Sequence, residues 1–193
     1  LDVDTLLDTA ELTDEQLAAL AARERSDGPA FVELVSRYRE RVWRVCFRLL
    51  GNADDANDGA QEVFVRMFLN RDRFQGRSKY STWVHGITLR TCLSLRRGRG
   101  RRERRENIVA EQAGRAAGKG DGSAAELSLD LMQMLDVLED EDRALLILKY
   151  AEGHSYEELA ETFQIGVSAC KMRISRAREK LKQRFSEHSF GAE

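Results

Sequence analysis

Lys171, Met172, Arg173, Arg176 and Lys180 recur at helical spacing within residues 156–182, YEELAETFQIGVSACKMRISRAREKLK. Cations displayed by one helix can hold phosphates, and an arginine fork matches two neighbouring acceptors on a base edge. The remaining inventory offers little to catalysis. His85, His154 and His188 stand apart from any nucleophile or ligand cluster, and no HExxH, glycine-rich phosphate loop or CxxC pair occurs. His154 precedes the basic helix and reads as a turn residue. No catalytic residue, metal site or cofactor is therefore expected.

Two short helices would position the cations. Tyr156, Leu159, Ala160 and Phe163 make one apolar stripe; Val167, Cys170, Ile174, Ala177 and Leu181 make the next. Between them Gly166 is available for an unusual backbone angle, and Ser168 stands where an N-cap belongs. A helix-turn-helix presents a recognition helix to the major groove in this way. The same pattern fits an amphipathic hairpin with a solvated charged face, so the rest of the chain has to decide.

The chain has 193 residues, a single proline and ordinary hydrophobic and charged fractions of 42% and 33%, which fits an all-α protein of two small domains. A net charge of -2 conceals its distribution. Residues 2–24 are acid-rich, whereas residues 96–105 (RRGRGRRERR) and 171–182 are basic, and local cationic surfaces govern phosphate contact. Cys46, Cys92 and Cys170 are widely spaced within helical patterns and read as buried reduced thiols, which suits the cytoplasm. With no signal peptide and no apolar run of spanning length, membrane insertion is not expected.

The periodicity predicts a helix over residues 14–25, capped by Thr13 or Asp14, with Leu17 and Leu20 as its apolar positions. A long stripe follows: Phe31, Leu34, Val35, Tyr38, Val42, Val45, Cys46 and Leu49, stopped by Gly51 and Asn52. An acidic segment then opens a helix with Ala60, Val63, Phe64, Met67 and Phe68 inward. After a polar loop around Gly76, Ser81 or Thr82 would cap a helix running to about Arg97. Val84, Thr88, Thr91, Cys92 and Leu95 form its inner side, with Trp83, Arg90, Ser94 and Arg97 together on another. Residues 98–128 lack periodicity and read as a flexible linker. The pattern resumes through Leu129, Leu131, Leu135, Leu138, Leu145, Leu146 and Leu148.

The segments FVELVSRYRERVWRVCFRLLGNADDANDGAQEVFVRMF and DRFQGRSKYSTWVHGITLRTCLSLRR, followed by LEDEDRALLILKYAEGHSYEELAETFQIGVSACKMRISRAREKL, resemble regions two and four of a bacterial RNA polymerase sigma factor. The short layout is similar to the extracytoplasmic-function (ECF) group. The resemblance implies an acidic N-terminal extension and first helix (1–28), region two (29–97), a basic linker (98–128) and region four (129–193). It also implies core polymerase and promoter DNA as partners, and an anti-sigma factor as a further one. Asp55, Asp58, Gln61 and Glu62 would meet the polymerase clamp. Lys79, Tyr80, Trp83, Arg90, Ser94, Arg96 and Arg97 would meet the minus-ten element, where family members capture a base flipped from the duplex. Ser168, Lys171, Met172, Arg173, Arg176 and Arg178 would meet the minus-thirty-five element.

Three departures from the family pattern bear on specificity. Arg90 stands where asparagine is common and Ser94 where aspartate is, and Ser168–Ala169 replaces a glycine–threonine pair. Two other readings stay open at this point: a stand-alone helix-turn-helix regulator, and a sigma-like adaptor without promoter binding. The acidic residues 1–15 raise one more expectation, that they fold back on a basic surface.

Overall fold

The computed structural model describes residues 9–24, 28–111, 134, 135 and 137–189; for 101–111 and 185–189 only the backbone is described. Within them lie seven α-helices and no strand. The expectations for Leu129 and Leu131, for residues 1–8 and for 112–128 fall outside this set.

Helix α1 (Asp14–Ala21) begins with a capping box in which Thr13 Oγ1 accepts from the Gln16 amide and Gln16 Oε1 from the Thr13 amide, at 3.3 and 2.8 Å. Leu17 is buried, but Leu20 is 42% exposed and forms no part of the core. Helix α2 (Pro29–Leu50) has proline at its start and stops where Gly51 takes φ 90°, a left-handed angle that costs glycine little. Asn52 caps α3 (Ala53–Leu69) by accepting from the Asp55 amide at 2.8 Å. The predicted stripes of α2 and α3 face each other: Leu34, Val42, Val45, Cys46, Leu49, Val63 and Met67 are buried. Cys46 and Cys92 touch in this core, Sγ to Sγ 3.6 Å, and all three cysteines are buried and free.

A 3₁₀ turn (Arg71–Arg73) and a bend at Gly76 lead into α4 (Tyr80–Glu111). Neither Ser81 nor Thr82 caps it. The Tyr80 amide donates to Glu15 Oε1 at 3.0 Å, so α1 supplies the cap from far away in sequence. The helix also passes its expected end at Arg97 and runs through residues 98–111. Arginine and glutamate are good helix formers and outweigh Gly98 and Gly100.

The second half packs three helices, α5 (Asp140–Tyr150), α6 (Tyr156–Phe163) and α7 (Val167–Ser189). Ser155 and Glu158 form a second capping box at the start of α6. Two local expectations need correction. Gln164, not Gly166, adopts the left-handed conformation (φ 56°), closed by the Ile165 amide donating to the Ala160 carbonyl at 3.0 Å. Ser168 lies inside the first turn of α7, since the Gly166 carbonyl already accepts from the Cys170 amide at 2.9 Å.

The halves meet along a seam in which α4 packs on α5 and α6, and α2 on α5. Tyr80, Thr82, Val84–Leu89 and Thr91–Leu93 are consequently buried on nearly every side, beyond the single stripe expected. The seam is polar as well as apolar. Glu152, whose side chain is 4% exposed, pairs with both Arg41 (3.9 Å) and Arg48 of α2. His85 and His154 meet edge to face across the seam, with ring centroids 4.3 Å apart.

Candidate nucleic-acid interface

On α3, Asp58 and Gln61 are exposed and Glu62 is half-exposed, paired to Arg66 at 2.6 Å. Asp55 is engaged locally, accepting from Asn52 Nδ2 at 2.6 Å and pairing with Arg99. Two apolar neighbours extend the same face: Val65 and Leu69 are 51% and 65% exposed. Positions 58, 61, 62, 65 and 69 share one side of a helix, so the surface is acidic at one end and apolar at the other. Val65 and Leu69 were missed in the sequence because they fall off the buried stripe and look incidental.

The minus-ten candidates divide. Tyr80 is 1% exposed, packed between Tyr38 and Phe74, and is a core residue unavailable for stacking on a base. Burial and the nearby Asp14 carboxylate push its pKa upward. Trp83 stacks on Tyr80 (5.3 Å between centroids) yet remains half-buried. With Arg66, Asn70, Arg73, Ile87 and Arg90 it lines an open pocket of about 320 Å³ between the end of α3, the 3₁₀ turn and α4. The sequence brought only Trp83 and Arg90 to this place. Of the other four, Arg66 and Asn70 come from the end of α3, Arg73 from the 3₁₀ turn and Ile87 from the buried side of α4 itself. Ser94 and Arg97 are exposed one to two turns further along α4.

Lys79 and Arg96 are tied to the second half. Lys79 pairs with Glu158 at 3.2 Å; Arg96 Nε donates to Asp140 at 2.7 Å and its Nη1 to the Leu49 carbonyl at 3.1 Å. The Ser155 amide, followed by Lys79, holds the Glu158 carboxyl below its ordinary pKa despite partial burial. Burial lowers the pKa of both seam histidines, that of His85 to about 3, with the His154 ring and Arg41 adding to the effect. Among the described residues, both ring nitrogens of His85 and Nε2 of His154 lack hydrogen-bond partners.

In the second half Lys171, Met172, Arg176 and Arg178 are exposed on α7, and Ser168 is exposed at its start. Met172, at 55%, is a large apolar side chain at the centre of the basic face. Arg173 differs: it is half-buried and bound to Asp142 (2.6 Å) and Glu141 (3.1 Å) of α5. Against the cost of burial, those two carboxylates raise its pKa, as for a structural cation. Cys170, Ile174 and Ala177 fill the inner side of α7 as expected.

Of residues 1–15, those from Thr9 onward are described, and they dock on α2. Arg37 holds the carbonyls of Thr9, Ala10 and Leu12 and the Asp14 carboxylate, and Tyr38 donates to Asp14 at 2.5 Å. Residues 9–14 are thereby fastened to α2.

An all-α chain with an arginine-lined pocket in one half and a helix-turn-helix with an exposed basic face in the other is matched by two sigma-70 family descriptions. The family description Sigma-70 region 2 matches residues 34–102, and Sigma-70, region 4 matches residues 128–181. The chain is 32% identical over 177 residues to the ECF RNA polymerase sigma factor SigW of Bacillus subtilis, spanning 93% of that protein and 85% of this one. It is 33% identical over 174 residues to the ECF RNA polymerase sigma factor SigE of Mycolicibacterium smegmatis, covering 88% of this chain but 66% of that longer one. Among solved structures, CnrH in complex with the cytosolic domain of CnrY superimposes with a TM-score of 0.67 at 26% identity, over 90% of this chain and 97% of that one. The chain belongs to the ECF group of RNA polymerase sigma factors. The match over residues 34–102 is something a stand-alone helix-turn-helix regulator does not account for. Among the described residues no helix is long and apolar enough to cross a membrane, and no group of three or more His, Cys, Asp or Glu could hold a metal ion.

Proposed function

We propose that this chain is a promoter-specificity subunit that acts in the cytoplasm without catalysing a reaction itself. It binds core RNA polymerase through α3, where Asp58, Gln61 and Glu62 supply polar contacts and Val65 and Leu69 an apolar patch. The Trp83–Arg90 pocket takes a base flipped from the minus-ten element, with Ser94 and Arg97 along the strand that leads to it. Stacking and pocket contacts there offset the few kcal/mol of unstacking. Ser168, Lys171, Met172, Arg176 and Arg178 of α7 meet the minus-thirty-five element, with Arg173 bracing the helix from behind. Lys79 and Arg96 join the minus-ten contacts once the seam has opened. The observation that carries this reading is the coexistence on one chain of an open, arginine-lined pocket and an exposed recognition helix. An anti-sigma factor is the expected antagonist; CnrH, the structural relative, was solved with the cytosolic domain of CnrY.

Runoff transcription from a promoter library, with purified core polymerase and with or without this protein, tests the reading. Transcripts that need the protein and share two spaced upstream motifs are expected. Stable core binding without transcripts from any template would favour the adaptor instead.

A further inference from the structure

The pocket between α3, the 3₁₀ turn and α4 contains two cationic side chains without an ion pair or side-chain hydrogen bond among the described residues, Arg73 on the 3₁₀ turn and Arg90 on α4. Arg66 is taken by Glu62, Asn70 donates its Nδ2 to the Arg66 carbonyl at 2.8 Å, and Trp83 packs on Tyr80 and Phe74. Arg90 has no carboxylate or carbonyl partner among the described residues. Its guanidinium instead lies close along α4 above Gly86. A Cβ built at position 86 would lie 3.4 Å from both Nη atoms, an ordinary van der Waals contact, so the guanidinium rests against the helix at one wall of the cavity. Burial and the neighbouring Arg66 lower the Arg90 pKa, as expected for a cation held without a counter-charge.

The polar lining is rich in donors: the guanidinium groups of Arg66, Arg73 and Arg90 and the indole N–H of Trp83. A guanidinium fork donates two parallel hydrogen bonds and wants two adjacent acceptors. Guanine offers them as N7 and O6. An unpaired cytosine offers them on its pairing edge, as N3 and O2. Adenine places its N6 amino donor beside either ring acceptor, and thymine places N3–H between its two carbonyls, so each leaves one arm of the fork facing a donor.

We propose that Arg90, seated over Gly86, selects the base this pocket captures, accepting guanine or cytosine and rejecting adenine and thymine. The inference rests on the pocket being the base-capture site of the minus-ten element.

The test uses the full-length protein assembled with core polymerase on templates carrying each of the four bases at each minus-ten position in turn. At one position guanine or cytosine should exceed adenine and thymine by about 5- to 150-fold in runoff product, the discrimination a bidentate arginine–base pair supplies. Arg90→Ala should lower the favoured templates to the level of the others at that position alone. Arg90→Lys keeps the charge but not the fork and should weaken the choice, most for cytosine, since lysine can still donate to guanine N7 and O6. Helical circular dichroism checks that each variant keeps its fold. Base choice surviving Arg90→Ala would mean that the group merely faces a phosphate, and the proposal would be wrong. A preference for adenine or thymine unaffected by Arg90→Ala would equally overturn it. If wild-type transcription is strong but indifferent to base at every minus-ten position, selection by Arg90 fails while base capture by the chain survives. If no template is transcribed, the underlying reading fails and takes this inference with it.

Discussion

The two halves of the molecule treat their arginines and lysines in opposite ways. In the first half Lys79 and Arg96 are engaged by Glu158 and Asp140, carboxylates that belong to the second half. In the second half Arg173 is engaged within its own half, by Asp142 and Glu141, and leaves Lys171, Met172 and Arg176 open to solvent. The proposed recognition helix is thus ready as it stands, whereas part of the proposed minus-ten surface is committed to the seam. A basic residue becomes a brace or a binding group according to where the nearest carboxylate sits, and that carboxylate can lie far away in the sequence.

The largest effect expected is from Glu152→Ala, which breaks the contrast at its source. This carboxylate serves Arg41 and Arg48, each more than a third exposed (38% and 36%). Solvent screening therefore reduces the cost below that of a fully buried pair, to about 2 kcal/mol. The free protein should expand in small-angle X-ray scattering, with Lys79 and Arg96 released. An unchanged radius of gyration would show that the apolar part of the seam suffices without this ion pair.

Acidification comes next. His85 titrates near 3 in the closed form against 6.5 when solvated, so the closed form carries fewer protons than any state that exposes the ring. Its contribution is intact above pH 6.5 and is lost progressively as pH falls from 6.5 toward 3. Between pH 7.5 and 5.5 that amounts to about 1.4 kcal/mol for this one ring, and His154 shifts in the same direction. The denaturation midpoint should drop accordingly, and His85→Phe should flatten the dependence. A pH-independent midpoint in the native chain would mean that the ring stays wet.

The smallest pair of effects sharpens the comparison inside α7. Arg173→Ala should cost about 1 kcal/mol of stability, since its two ion pairs are only partly shielded. Arg176→Ala should leave thermal unfolding where it is and weaken minus-thirty-five DNA instead. Equal behaviour of the two variants in both assays would erase the distinction between brace and reader.

Much of the fold is legible in the chain because it is local. The apolar stripes of α2, α3 and α7, the Thr13 cap and the stop at Gly51 each follow from a few neighbouring residues. What escapes notice is whatever a distant element supplies. Glu15 caps α4 from a separate helix, so Ser81 and Thr82 look like the natural candidates. The seam buries sides of α4 that its periodicity marks as surface, and Tyr80 is packed by Tyr38 and Phe74 rather than offered to DNA. At Gln164 the left-handed turn falls on a residue with no special licence for it, two positions ahead of the glycine that would have been comfortable there. The pocket needed three separate elements brought together, and only Trp83 and Arg90 betrayed it in advance.

The buried thiols have a practical corollary. Cys46, Cys92 and Cys170 are all out of solvent; burial raises the pKa of Cys170, and the Cys46 contact, followed by burial, raises that of Cys92. Maleimide and iodoacetamide reagents attack the thiolate, and here that form is both rare and shielded. The native chain should therefore be silent toward such probes without any cysteine being removed. Single cysteines introduced at Asp72 and Glu161, exposed sites on opposite halves, would accept a dye pair cleanly and report the distance across the seam as the chain meets polymerase.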